Sequence, residues 1–131
     1  APAETAPAPP PKPVKPPPPP PEAKVVVTAD DYHQQGRQFI QDDKFPEAIE
    51  ALNKALDMNP YLATAFNARG YAHFRLKHYK EAIADFDAAI KLNPLYGNAF
   101  TNRASAKRAA GDKAGADADQ AKARELIKNA K

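Results

Sequence analysis

The sequence repeats itself at a fixed spacing, and this repeat limits the fold more than any other feature. Gly36 and Gly70 lie 34 positions apart, and many other residues pair at the same distance. A period of this size is typical of repeat arrays, whose units stack because none can bury its apolar face alone. The paired positions are Tyr32 and Phe66, Gly36 and Gly70, Phe45 and Tyr79, Ala48 and Ala82, Leu52 and Phe86, Ala55 and Ala89, and Pro60 and Pro94.

Each repeat unit contains two stretches in which apolar residues recur at steps of three and four. This periodicity predicts amphipathic helices at residues 29–42, 46–58, 63–76, 80–92, 97–110 and 113–129. Pro46 suits the first turn of a helix, while Pro60 and Pro94 follow asparagines that end the second helix of a unit. Thr28 and Asp31 have the spacing of a capping box, so the folded domain is expected to begin at residues 25–28.

The first 24 residues differ from the rest, because twelve of the 15 prolines lie between Pro2 and Pro21. A segment with so little to bury is predicted to be disordered, and its proline run favours an extended polyproline helix. We interpret residues 1–24 as a stiff tether before the domain at 25–131. The alternative is a ligand for proline-binding domains, since Lys15, Pro18 and Pro21 have the spacing of such ligands.

The compartment is unknown from the sequence. The proline-rich tether is similar to spacers that carry bacterial envelope proteins away from a membrane anchor. The chain also begins at Ala1 without methionine, as processed or trimmed chains do. Both features favour an exported, periplasmic or envelope-associated protein.

Glycine recurs in the middle of the first helix of units one and two, at Gly36 and Gly70. Such a glycine destabilises a helix by about 1 kcal/mol relative to alanine. Its periodic use therefore indicates that the second helix of the same unit approaches closely there. We expect Ala48 and Ala82 to be the small residues that face these glycines, with Ala116 as their counterpart in the third unit.

A basic and an acidic residue appear together in two units. Arg69 and Asp85 in the second unit correspond to Arg103 and Asp119 in the third, whereas the first unit lacks both. We predict that each arginine binds the aspartate of its own helix pair. The alternative is coincidence, because two instances are few.

The periodic aromatic, glycine, alanine and proline positions resemble the tetratricopeptide repeat. The resemblance covers units at about 29–62, 63–96 and 97–131, and implies an all-α fold: an α-solenoid of three antiparallel helix pairs in a right-handed superhelix. The third unit departs from the pattern at Ala104, Lys107, Lys113, Gln120 and Lys128. We therefore expect its last helix to act as a cap that closes the array.

The resemblance also implies a function, because the first helices of such units line a concave groove that binds an extended peptide. Amide side chains can bind a peptide backbone, and Arg37, Arg75 and Arg108 favour an acidic or carboxylate-bearing partner. The residues expected in the groove are His33, Arg37, Gln41, Asn67, Tyr71, Phe74, Arg75, Asn98, Thr101, Asn102, Ser105 and Arg108.

One subfamily of these proteins clamps the C-terminal carboxylate of chaperones with two lysines, two asparagines and an arginine. The resemblance places the lysines at His33 and Asn98, the asparagines at Arg37 and Ala68, and the arginine at Asn102. None of the five residues is kept. We therefore predict that this chain does not bind chaperone tails, although its ligand is still expected to be acidic.

Catalysis, cofactors and metal ions are not expected. The chain has no cysteine, Ser105 is its one serine, and no phosphate-binding or calcium-binding loop is present. His73 and His78 are five positions apart, whereas two metal ligands on one helix face are four apart. We expect His33, His73 and His78 each to lie on the surface or at the edge of the groove, and not in a metal site.

Other classes of partner have less support. The net charge is only +3, and the basic residues near the C-terminus alternate with acidic ones, so nucleic-acid binding is not expected. No apolar run is long enough to span a membrane.

The sequence predicts a monomeric interaction module. The alternative is a structural role, in which the convex face or the C-terminal end mediates self-assembly.

Overall fold

The computed structural model describes residues 7–19 and 26–130. Residues 7–19 form neither helix nor strand, and their side chains are exposed. The rest of the predicted tether, Val25 and Lys131 lie outside the described residues, as does Pro21 of the proposed proline-recognition pattern.

The described part of the domain consists of helices that follow one another in pairs. Each boundary lies within one residue of its predicted position, so the all-α prediction is confirmed. Neighbouring helices pack in chain order, and the short turns between them make them antiparallel. The helices are α1 (Ala29–Gln41), α2 (Phe45–Met58), α3 (Ala63–Arg75), α4 (Tyr79–Leu92), α5 (Gly97–Ala109) and α6 (Lys113–Asn129).

The array curves because its two layers of helices pack differently. Across the described residues, α1 contacts α3 and α3 contacts α5, whereas α2 makes no contact with α4, nor α4 with α6. The first helices of the units are therefore closer together than the second helices. This difference puts α1, α3 and α5 on the concave face of the solenoid.

The close approach predicted at the periodic glycines is confirmed, but the partner residues are different. A Cβ atom at Gly36 would lie 2.6 Å from Cγ of Leu52, and one at Gly70 would lie 2.7 Å from Cε1 of Phe86. Leu52 and Phe86 are fully buried. The nearest neighbours of the glycines are thus large side chains, and not the alanines that the sequence suggested.

Those alanines lie instead where one unit meets the next. Ala48 belongs to a buried cluster that includes Ala72 of α3, and Ala82 belongs to one that includes Ala106 of α5. All four residues are completely buried. Small side chains at this contact let α3 and α5 approach the preceding pair closely.

Both predicted ion pairs are confirmed. Arg69 donates from Nε and Nη2 to the carboxylate of Asp85 at 3.0 and 2.8 Å, and Arg103 binds Asp119 in the same way at 2.8 and 2.7 Å. The two aspartates are the buried charged residues of the described chain. Lys107 adds a second cation 3.0 Å from Asp119.

Each arginine also bonds a side chain of the preceding unit, a contact that the sequence did not predict. Nη1 of Arg69 donates to Asn53 on α2 at 2.9 Å, and Nη1 of Arg103 donates to Asp87 on α4 at 2.8 Å. Asn53 and Asp87 are one period apart. Each guanidinium therefore joins three helices from two units.

Local hydrogen bonds set the ends of the helices. Thr28 and Asp31 form the predicted capping box, with bonds of 3.2 and 2.8 Å. Each turn within a pair contains a residue with positive φ, and these residues are again one period apart: Asp43 (56°), Lys77 (64°) and Gly111 (96°). Among the described residues, no helix is both long and apolar enough to cross a bilayer.

The turn residues give a first prediction. A side chain at positive φ costs about 1–2 kcal/mol, which glycine avoids. After allowing for the greater freedom of glycine in the unfolded chain, we expect Lys77→Gly to raise the free energy of unfolding by about 0.5–1 kcal/mol. Lys54→Gly, inside α2, is the matched control and should lower it by about 1 kcal/mol. Urea denaturation measures both, and a destabilising Lys77→Gly would contradict the strain argument.

The buried aspartate of the third unit gives a second prediction. Burial alone would raise the pKa of Asp119, but the hydrogen bonds and charges of Arg103 and Lys107 hold it below its usual value. A lowered pKa stabilises the fold above the unfolded pKa of about 3.9, and this contribution is lost as the pH falls through the folded pKa. Asp119→Asn should therefore destabilise the protein by about 2–3 kcal/mol at pH 7.

Urea denaturation between pH 7 and pH 3 tests this prediction, since the difference from wild type should shrink in acid. Asp117→Asn is the control, because Asp117 is an exposed residue of the same helix that pairs with Arg108. We expect that variant to change stability by less than about 0.5 kcal/mol. Equal effects of the two substitutions would show that burial of Asp119 is unimportant.

Candidate partner-binding groove

A cavity of about 400 Å³ opens on the concave face, between the first helices of the units. Residues from α1, α3 and α5 reach it together because side chains four apart lie on the same face of a helix. Its size is that of a typical ligand pocket. The lining residues are His33, Arg37, Ile40, Gln41, Thr64, Asn67, Ala68, Tyr71, Tyr96, Asn98 and Asn102.

Seven of the residues predicted for the groove line this cavity, and four lining residues were not predicted. Thr64 and Ala68 lie on the same face of α3 as Asn67 and Tyr71, so helical spacing could have found them. Ile40 also packs against the buried cluster of Phe45, Ala48 and Ala72. Tyr96 precedes α5 and had no helical signal. The predicted residues that line the cavity are His33, Arg37, Gln41, Asn67, Tyr71, Asn98 and Asn102.

The other five predicted groove residues do not line the cavity. Phe74 packs beside the buried cluster of Phe86 and contacts the Tyr79 ring with centroids 5.9 Å apart. The hydroxyls of Thr101 and Ser105 each bond a carbonyl of α5 four residues back.

Two of those five are arginines whose guanidinium groups already have partners. Arg75 donates to the hydroxyl of Tyr71 at 3.0 Å and lies 4.7 Å from the Phe45 ring centroid. Arg108 binds Asp117 at 3.0 Å. Of the three arginines that were expected to attract an acidic partner, Arg37 is therefore the one that lines the cavity.

Polar side chains from two units are hydrogen-bonded to one another in the lining of the cavity. Asn102 donates from Nδ2 to Oδ1 of Asn67 at 3.1 Å, and Nδ2 of Asn67 contacts the hydroxyl of Tyr96 at 3.3 Å. Burial raises the pKa of Tyr96, so this hydroxyl stays protonated at neutral pH. These bonds hold the Asn67 amide in one orientation and leave the Asn102 oxygen available as an acceptor.

The cavity is cationic, because its lining contains Arg37 and no carboxylate. Within the described chain, no acidic group lies within 4.0 Å of the Arg37 guanidinium. Burial lowers the pKa of nearby His33, and the positive charge of Arg37 lowers it further, against smaller opposing effects of Asp30 and a bond to the Thr64 backbone. At neutral pH, His33 is thus uncharged and Arg37 supplies the positive charge.

The family is decided by two overlapping sequence matches. The family model described as tetratricopeptide repeat matches residues 33–97 and 67–126, which together cover most of the chain. This chain belongs to the tetratricopeptide repeat family. The three helix pairs of the structure are three such repeats, as the sequence resemblance indicated. No curated protein sequence matches this chain.

Solved tetratricopeptide repeat domains share the fold. The first such domain of Spaghetti (RPAP3), bound to the HSP90 peptide SRMEEVD, is 30% identical, with a TM-score of 0.76 over 78% of this chain and 81% of that one. The first domain of human RPAP3, solved by NMR, is also 30% identical, with a TM-score of 0.75 over 78% and 80%. The TPR2B domain of yeast Sti1, in complex with pHsp70, is 26% identical, with a TM-score of 0.74 over 77% and 81%.

The electrostatics of the cavity give a third prediction. We expect the pKa of His33 to lie below the ordinary value of about 6.5. Arg37→Gln should raise this pKa, but not above 6.5, because burial is the larger cause. Arg75→Gln is the control, since Arg75 contacts Tyr71 and Phe45. Proton NMR titration measures the pKa of His33 in the wild type and in the two variants. A His33 pKa above 6.5 in the wild type would contradict the prediction that burial and Arg37 lower it.

Proposed function

We propose that this chain is a non-catalytic protein–protein interaction module that holds a partner peptide in its concave groove. The partner segment is acidic or carries a carboxylate. The observation that carries the proposal is a cavity on the concave face that is lined by an arginine and by no acidic residue. A peptide carboxylate placed there would form charge-assisted hydrogen bonds with Arg37.

The amides of the groove suit an extended peptide. Asn67 and Asn102 are linked to each other, and Asn98 lies exposed at the start of α5. A carboxamide can donate to a peptide carbonyl and accept from a peptide N–H, so it can bind main-chain groups of any sequence. Tyr71 and Ile40 add apolar surface beside these amides. In this proposal the amides bind the backbone and Arg37 selects for negative charge.

The solved relatives support peptide binding, because the first RPAP3 domain is bound to an HSP90 peptide and the TPR2B domain of Sti1 is in a complex with pHsp70. The positions that form the carboxylate clamp of the chaperone-binding subfamily all line the cavity here, as His33, Arg37, Ala68, Asn98 and Asn102. They provide one permanent cation where the clamp has three. We therefore propose the same location for the ligand but a different ligand from a chaperone tail.

A fourth prediction concerns the charge of the selected ligand. Selection from a random peptide library with free C-termini should enrich acidic sequences on the wild-type chain. Arg37→Glu should weaken binding of the selected peptides at least about tenfold, since one hydrogen bond to a charged group contributes about 1.5–3 kcal/mol. Fluorescence anisotropy measures the affinities. The peptide SRMEEVD should bind more weakly than the selected peptides.

Arg124→Glu is the matched control, because it makes the same charge change at an exposed position of α6 outside the cavity. Its affinities should equal those of the wild type. Enrichment of peptides without acidic residues, or equal losses in both variants, would contradict the charge argument. The alternative of self-assembly through the convex face or the C-terminal end predicts a dimer in sedimentation. A dimer interface that covers the groove would contradict peptide capture.

A further inference from the structure

Two histidines lie side by side at the turn between α3 and α4, although their spacing of five positions would keep them off one face of a continuous helix. His73 is in the last turn of α3, and His78 immediately precedes α4. The helix ends between them, and the His78 N–H bonds the His73 carbonyl at 2.8 Å. This bond brings their rings together, with Nδ1 of one 3.2 Å from Nδ1 of the other.

The distance between these nitrogens is within hydrogen-bond range, and it also fits the bite of a metal chelate. Imidazole nitrogens bind first-row metal ions at about 2.0–2.1 Å, so two of them 3.2 Å apart would subtend an angle of about 100° at the ion. That angle lies between the tetrahedral and square-planar values. We propose that His73 and His78 form a two-histidine site for a divalent transition-metal ion of the class that prefers imidazole, such as Cu²⁺, Ni²⁺ or Zn²⁺.

A neighbouring carboxylate supports this arrangement. Oδ2 of buried Asp85 lies 4.0 Å from Nε2 of His73, on the opposite side of the ring from His78. Metal-binding histidines commonly direct their other ring N–H towards a carboxylate, which sets the tautomer. A distance of 4.0 Å is too long for a hydrogen bond, so Asp85 acts on His73 through its negative charge, which favours the proton on Nε2 and leaves Nδ1 of His73 unprotonated beside Nδ1 of His78. Arg69 holds Asp85 in position through two hydrogen bonds.

The pair is specific to the second unit. At the two corresponding positions the first unit has Phe39 and Lys44, and the third has Lys107 and Asp112. The fold of the repeat therefore does not require histidine at either place. Neither histidine lines the concave cavity, so the metal site is independent of the proposed peptide groove.

The site would be open, with water completing the coordination of the ion. Among the described residues, no group of three or more potential ligands from His, Cys, Asp and Glu is assembled. His78 is exposed, so an ion can reach the pair from solvent. Two-ligand sites follow the general order of affinity, in which Cu²⁺ binds more tightly than Ni²⁺ or Zn²⁺.

The fifth prediction uses Cu²⁺ alone as the probe, added to the full chain and followed by calorimetry and electron paramagnetic resonance. The protein has three histidines, so single substitutions account for every imidazole. We expect His73→Gln and His78→Gln each to weaken Cu²⁺ binding at least about tenfold. His33→Gln is the matched control and should leave the affinity within about twofold of wild type. Far-UV circular dichroism verifies that each variant is folded.

A second measurement locates the ligand atoms. Zn²⁺ is diamagnetic, so ¹⁵N NMR of the imidazole rings should show binding as a shift of Nδ1 in both His73 and His78, with His33 unchanged. Wild-type Cu²⁺ affinity in either variant of the pair would overturn the proposal, as would an equal loss in His33→Gln. A Zn²⁺ shift confined to Nε2 atoms or to one ring would also overturn it.

Discussion

The structure depends on one contact that recurs inside its helix pairs. In the first two pairs, a large side chain of the second helix occupies the place where a Cβ atom of the first helix would be, at Leu52 against Gly36 and Phe86 against Gly70. Because both large residues are fully buried, the two helices have one separation and one register. Each pair is then a rigid block, and alanines on its outer side let the next block stack closely.

The hydrogen bonds of two arginines add a second constraint between the helix pairs, and we call each set of these bonds a polar clamp. Arg69 and Arg103 each bind the aspartate of their own pair and a polar side chain of the preceding unit. A buried ion pair contributes little net stability relative to an apolar replacement, but a misplaced one is strongly unfavourable. We interpret the clamps as setting the register between successive units. That register determines the curvature, and hence the shape of the concave face.

The groove is a consequence of this curvature. The first helices of three units converge, and their polar side chains bond one another across the unit boundary, as Asn102 and Asn67 do. A partner peptide would therefore meet groups that are already ordered, which lowers the entropic cost of binding. Among the described residues, no carboxylate lines the cavity, and three aspartates of the domain are bound by Arg69 and Arg103. Within the described chain, the Arg37 guanidinium has no acidic partner within 4.0 Å, so its positive charge is available to a ligand.

Sequence periodicity by itself determined the helices, their pairing in order and the ion pairs of Arg69 and Arg103, because all of these are set by spacing along the chain. The same spacing identified which helix faces are exposed, but not which exposed residues meet, so Arg75 was predicted for the cavity and Tyr96 was missed. Only the tertiary structure decided which exposed residues meet in the cavity, since this depends on how far each rigid helix pair is rotated against the next. It also brought His73 and His78 together, because a turn interrupts the helix whose regular spacing would have kept them apart.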